Sequence, residues 1–283
     1  MKFVRVGELG RERAGVLGQG GEILRLPEEL GDIDASFFHG GREEEVRRLL
    51  DANALDEVVG ESERIGSPIA KPEKIVCIGL NYRDHARETR SPIPDEPIIF
   101  MKAPNCVVGP NDEVLVPRGS VKTDWEVELG VVIGTRARYL ESPDGADDFI
   151  AGYCVSHDVS EREFQLERGG QWDKGKSCET FNPLGPWLVT RDEIVDPQNL
   201  RLRLSVNGVE RQNGTTADMI FGVNHLVWYL SQFMVLEPGD LINTGTPAGV
   251  SLGHDDVPFL HAGDVTELSI DGLGSQRSRI GQA

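Results

Sequence analysis

The sequence predicts an α+β, β-rich chain: many short strands closing into a barrel or roll, preceded by a small N-terminal unit. Three observations carry this. Short apolar runs recur between Gly- and Pro-containing turns, among them Ile75–Gly79, Ile98–Met101, Val114–Val116 and Leu241–Ile242. Few stretches place apolar residues at helical spacing. The segment Ser67-Pro68-Ile69-Ala70-Lys71-Pro72 carries two prolines that favour an extended connection, dividing residues 1–70 from residues 71–283.

The N-terminal part reads as a meander. Phe3–Val6, Ala14–Leu17 and Ile23–Leu26 are strands separated by polar and glycine turns, and Glu43–Leu50 carries Val46, Leu49 and Leu50 on one helical face. No chemistry is evident there. In the larger part, Asn81–Arg90 is polar and helix-compatible, and Pro92 and Pro94 stop it. Lys122–Gly134 is a strand with an apolar end. Ala151–Asp158 is another, and Ser160-Glu161-Arg162-Glu163 matches a capping box that starts a helix at about Glu161. Met219–Val235 holds six apolar residues at helical spacing and is the clearest helix in the chain.

Composition excludes several classes. The chain has 283 residues and a formal net charge of -18, which repels nucleic acid and anionic membranes. An anionic metabolite would then need a cation or a local basic cluster to dock. No apolar run approaches a membrane span, and charge enters too early at the N-terminus for a signal peptide. The four cysteines are scattered without a Cys-x-x-Cys pair, which suits a reducing cytoplasm.

The stretch with most chemical content is Asp124-Trp125-Glu126-Val127-Glu128. Strand alternation points Glu126 and Glu128 the same way, with Asp124 on that face, while Trp125, Val127 and Leu129 face a core. Adjacent carboxylates repel. Two readings stay open here: a solvated face, or a bound divalent cation that takes carboxylate oxygens. His85 and Glu88 fall three apart on a helix and can touch. The pair is either incidental on a surface helix or an imidazole oriented as a general base. Asp158 stands where a strand hands over to a helix, as a cap or as a ligand. Lys174 and Lys176 lie in a loop, and Gly245–Val250 is a glycine-rich loop that lets backbone approach a ligand.

Taken together these motifs resemble the fumarylacetoacetate hydrolase family, in its short bacterial branch of acylpyruvate and 2,4-dioxo-3-deoxy sugar-acid hydrolases. The resemblance rests on Gly79-Leu80-Asn81-Tyr82 with Asp84-His85, Glu126-x-Glu128-Leu129, Asp158-x-x-x-Arg162-x-x-Gln165, Gly175-Lys176-Ser177 and Gly245–Val250, in family order from about Lys74 to Ile270. It implies a mixed β-roll with Mg²⁺ or Mn²⁺ at its mouth, and a homodimer. The implied metal ligands are Glu126, Glu128 and Asp158. The implied substrate contacts are Arg162, Gln165 and Thr246, and the implied catalytic groups are His85, Glu88 and Lys176, with the His85–Glu88 dyad on a mobile lid. The longer animal-type members place a fourth carboxylate ligand where this chain has Ile78.

The implied reaction is metal-dependent hydrolysis of a C–C bond in a small anionic 2,4-dioxo acid, giving pyruvate and a second acid. Oxaloacetate decarboxylation, dienoate isomerisation or hydration, and ureidoglycolate cleavage share the same enolate chemistry. A non-catalytic metabolite-binding protein is the alternative of another class; the paired His85 and Glu88 argue against it. His157 is not expected among the ligands, since strand alternation turns it away from Asp158.

Overall fold

The computed structural model describes residues 1–56, 63–254 and 256–283. Its centre is a nine-stranded mixed sheet, built in the order Ile23–Arg25, Arg13–Leu17, Lys2–Val6, Leu188–Thr190, Ile150–His157, Val127–Ile133, Leu241–Asn243, Ile75–Gly79 and Ile98–Lys102. The expected meander is present. Its first strand also pairs with Leu188–Thr190, so the N-terminal strands extend the central sheet. A second sheet of five strands, Val209–Thr215, Arg201–Val206, Val265–Ile270, Gly274–Gln282 and Val114–Val116, packs against the middle of the first. The architecture is α+β and strand-rich, as the sequence predicts.

Every residue of Val127–Ile133, Ile150–His157 and Leu241–Asn243 is buried. Such strands are covered on both faces, which is why they read as continuous apolar runs rather than as alternating ones. The solvated-face reading of the carboxylate strand is therefore wrong: Glu126 is 5% exposed and Glu128 2%.

Two helices differ from expectation. Ser160–Glu161 is a short strand paired with Thr123–Asp124, and only a single π-helical turn, Glu163–Glu167, follows. The capping box does not form because its groups are engaged elsewhere. Ser160 Oγ donates to the Asp158 carbonyl (3.0 Å), and the Glu163 N–H donates to Glu161 Oε1 (3.3 Å). The helix expected over Met219–Val235 spans only Val223–Ser231. Ahead of it, the Ile220 N–H donates to the Asn81 carbonyl (2.7 Å) and Met219 bridges Tyr82. Tertiary pairing there overrides helical propensity.

Register sets the site. His157 lies opposite Val127 and Ser156 opposite Glu128, and the Asp158 N–H donates to the Glu126 carbonyl (3.0 Å). Leu241–Asn243 runs antiparallel to Val127–Ile133 and parallel to Ile75–Gly79. The segments that follow both strands, Gly245–Thr246 and Leu80–His85, thus emerge at the end where Glu126, Glu128 and Asp158 meet.

Candidate active site

One cavity of about 480 Å³ opens at that end. Eight of the nine residues that the resemblance implies as ligands, substrate contacts or catalytic groups line it: His85, Glu88, Glu126, Glu128, Arg162, Gln165, Lys176 and Thr246. Asp158, the ninth, is fully buried beside its floor. Ile78 also lines the cavity, where it offers an apolar group.

Glu126, Glu128 and Asp158 each offer a carboxylate oxygen, and these atoms lie within 4.8 Å of one another. Asp124 is not with them. The chain between Thr123–Asp124 and Val127–Ile133 leaves regular strand geometry, and Asp124 instead accepts from Arg162 Nε (2.8 Å) and from the backbone N–H groups of Ser251 (2.9 Å) and Leu252 (3.0 Å). Its partners hold a loop and an arginine.

Cations neutralise the trio unevenly. Lys176 Nζ reaches both Glu126 Oε2 (2.7 Å) and Asp158 Oδ2 (2.8 Å), and Arg162 pairs with Glu126 Oε1 (2.7 Å). Burial alone would raise Glu126, but Lys176 and Arg162 overcome it and hold the carboxyl well below its ordinary range. Glu128 is the opposite case. Burial first, then repulsion from Asp158 and Glu126, pushes its carboxyl far above the ordinary range, and its hydrogen bond is from the Gly245 N–H (2.9 Å). A buried carboxyl group with no paired cation among the described residues, facing two others, fits a divalent cation. An all-oxygen set suits Mg²⁺ or Mn²⁺.

Lys102 escaped the sequence reading. Its ammonium is fully buried and contacts Asp158 Oδ1, and it donates to the Val159 carbonyl (3.1 Å). Alternation offers a signal: Phe100 and Lys102 share a face of Ile98–Lys102, and Phe100 lines the cavity. Lys176 lies on a one-turn helix, Asp173–Lys176, not in a loop. Gly175 makes its approach possible, since a Cβ there would sit 2.3 Å from the Glu161 carbonyl oxygen.

The implied substrate contacts are held from below. Arg162 donates through Nη1 to Gln165 Oε1 (3.0 Å). The Thr246 hydroxyl donates to the Val127 carbonyl (2.9 Å) and accepts from Gln212 Nε2 (2.8 Å), so it can offer a ligand only a lone pair. Gln212, a second residue the sequence did not reveal, also accepts from the Val127 N–H (2.9 Å) and so fastens this loop to the metal-side strand.

His85 and Glu88 lie on the short helix Arg83–Glu88, both nearly buried, with His85 Nδ1 3.2 Å from Glu88 Oε2. Burial raises the Glu88 carboxyl, but hydrogen bonds from His85, His254 and the Gly249 N–H together hold it below its ordinary value. Glu88 is then a carboxylate, which can only accept. The shared hydrogen bond therefore takes its proton from His85 Nδ1, and in the neutral imidazole this leaves the lone pair on Nε2.

His157 is fully buried and pairs with Val127 across the sheet, and neither ring nitrogen bonds a protein group among the described residues. Burial, then Lys102, pushes its imidazole down to about 3. An unfolded histidine takes up a proton near pH 6.5, whereas this one stays neutral, so stability falls as pH drops below about 6.5. His157→Asn should flatten that fall by up to about 1.4 kcal/mol per pH unit, read from urea midpoints between pH 7.5 and 5.

The description "Fumarylacetoacetate (FAA) hydrolase C-terminal" belongs to the family model that matches residues 74–281. The chain belongs to the fumarylacetoacetate hydrolase family. A Burkholderia ambifaria protein named as a hydrolase is 50% identical over 277 residues, covering 98% of this chain and 97% of its own. Among solved structures, fumarylacetoacetate hydrolase from psychrophilic Exiguobacterium antarcticum superposes with a TM-score of 0.87 at 33% identity, both chains covered completely. Maleylpyruvate hydrolase from Sphingobium sp. SYK-6, solved with manganese(II) and pyruvate, gives 0.82 at 26% identity, again over both whole chains. A 5-carboxymethyl-2-hydroxymuconate delta-isomerase from Mycobacterium smegmatis gives 0.79 at 28%, over 100% of this chain and 99% of its own. Within the fumarylacetoacetate hydrolase family, then, this fold is found under the names of both hydrolases and isomerases.

Proposed function

We propose that this family member is a metal-dependent hydrolase that cleaves a C–C bond in a 2,4-dioxo acid, an acylpyruvate or a 2,4-diketo-3-deoxy sugar acid, releasing pyruvate and a second acid. One observation carries the reading: a buried carboxylate trio, two of whose members line the cavity, and an oriented His85–Glu88 pair meet at the same place. A divalent cation on the trio, with Lys176 and Arg162 beside it, would give an anionic 2-oxo acid a place to dock, and the imidazole can activate water against the substrate's far carbonyl.

Glu126, Glu128 and Asp158 would hold Mg²⁺ or Mn²⁺, which when bound supplies Lewis-acid stabilisation of developing enolate charge. His85 Nε2 takes a proton from water, and the hydroxyl adds to the distal carbonyl carbon. Glu88 stabilises the imidazolium so formed. Collapse of that adduct breaks the C–C bond and leaves its electron pair on the pyruvate fragment as an enolate. Lys176 faces that charge as an ammonium: burial lowers it, but Asp158 and Glu126 raise it well above its ordinary value. His85 returns its proton to the enolate carbon, and the second acid leaves ionised. Arg162, Gln165 and Thr246 orient the chelating end.

The kinship with isomerases supports a second reading, in which His85 shuttles a proton along a dienoate without adding water. A homodimer in the cytoplasm is part of the proposal. No described helix is long and apolar enough to cross a membrane.

A panel of acylpyruvates, dioxo sugar acids, oxaloacetate and hydroxydienoates, each assayed with Mg²⁺ or Mn²⁺ and after EDTA, tests this. The expected result is metal-dependent pyruvate release from a dioxo acid in preference to the others. Faster turnover of the dienoate, with no pyruvate from any dioxo acid, would overturn it.

A further inference from the structure

We propose that His254 is a positioning residue of this site: it fixes the Glu88 carboxylate so that His85 is held in the one tautomer that leaves Nε2 free as base. The inference rests on the general-base role given to His85 above.

A carboxylate presents two equivalent oxygens and can swap them by rotation. Here the two are made unequal. Oε1 receives the Gly249 N–H (2.8 Å) and His254 Nε2 (2.7 Å), while Oε2 faces His85 Nδ1 (3.2 Å). With two donors on one oxygen, turning the carboxylate out of this plane would break both bonds, so its other oxygen stays aimed at His85. Because Glu88 is ionised, His254 must donate from Nε2, just as His85 must donate from Nδ1.

The loop that carries His254 is shaped to receive Glu88. A Cβ at Gly253 would lie 2.5 Å from Glu88 Cγ, so only glycine permits this closeness. Gly249 has φ +111°, and a Cβ there would sit 2.0 Å from the Arg211 carbonyl oxygen. Trp125 Nε1 donates to the Gly249 carbonyl (3.0 Å), and Ser251 Oγ to the Val257 carbonyl (2.7 Å). Asp124 clamps the N–H groups of Ser251 and Leu252 with the same carboxylate that holds Arg162. His254 therefore reaches Glu88 from a fixed base.

An ordinary exposed ion pair contributes little, because water screens both partners. This pair differs: the His254 side chain is 43% exposed, but that of Glu88 is only 9% exposed. The exposure of His254 means that replacing it opens no hole in the core.

The test compares parent, His254→Ala and His254→Gln, the last keeping an N–H donor. Histidine-labelled ¹⁵N spectra at pH about 8.5, above the ordinary imidazole range, report the His85 tautomer, with His85→Ala assigning the signal. Rates use the best substrate found. The parent should show a single Nδ1–H tautomer at His85, and His254→Ala a mixture. The same variant should lower kcat by about 10- to 100-fold, by analogy with the loss of a group that orients a metal-bound imidazole, with KM and oxalate Kd within about twofold. His254→Gln should recover most of the rate. Parent-like rate or an unmixed tautomer in His254→Ala overturns the proposal, as does a failure of glutamine to recover the rate. If the parent hydrolyses no dioxo acid, the functional reading fails, while the tautomer arm still decides the role of His254.

Discussion

His85→Ala should lower kcat for the best dioxo acid by about 10²- to 10⁴-fold, the usual cost of losing a general base, while oxalate binds nearly as well as to the parent. Oxalate mimics the pyruvate enolate and would be held by the carboxylate-bound metal and the groups around Lys176. His85 belongs to a different element, the short helix Arg83–Glu88, and acts on water. The two readouts therefore separate chemistry from anchoring. Oxaloacetate, if accepted, loses CO₂ without activated water, so its turnover should suffer less in the same variant. Equal dioxo-acid rates in variant and parent would remove His85 from the role of base.

The second large effect concerns Glu128. Glu128→Gln should weaken Mn²⁺ binding by more than about 100-fold, beyond the 10- to 100-fold typical of an outer partner, without lowering the metal-free Tm. Burial and two neighbouring carboxylates already drive the Glu128 carboxyl toward its neutral form. Glutamine is neutral, matches its shape and can still accept from the Gly245 N–H. A site kept for stability would behave in the opposite way, with Tm falling and metal binding unchanged. Calorimetric Mn²⁺ titration and thermal melts in EDTA give the two numbers.

Much of the site was legible because its geometry is local. Glu126 and Glu128 share a face through the two-residue repeat of an extended chain. His85 and Glu88 touch through the three-residue spacing of a helix. Asp158 follows directly from a strand end. What stayed hidden depends on distant partners. Lys102 matters because Ile98–Lys102 and the turn after Ile150–His157 converge 56 residues apart. His254 meets Glu88 across 166 residues. Asp124 was read with the wrong neighbours, since alternation says nothing of the break between Asp124 and Val127 or of the loop that Asp124 holds. The capping box at Ser160 failed for a related reason: Glu161 is paired in a strand with Thr123, and its side chain bonds Thr123 Oγ1 (3.0 Å). Strand and turn placement came through well because buried strands and Gly/Pro turns have strong signatures.

Hydrolysis and isomerisation part company at one atom. The protein, loaded with Mn²⁺, should be given an acylpyruvate in H₂¹⁸O, and the products analysed by mass spectrometry. Hydrolysis at the distal carbonyl puts one solvent oxygen into the carboxyl group of the released second acid, with one pyruvate formed for each. A product of unchanged mass formula and no pyruvate would contradict the assignment of His85, Glu88 and the carboxylate trio to C–C bond hydrolysis.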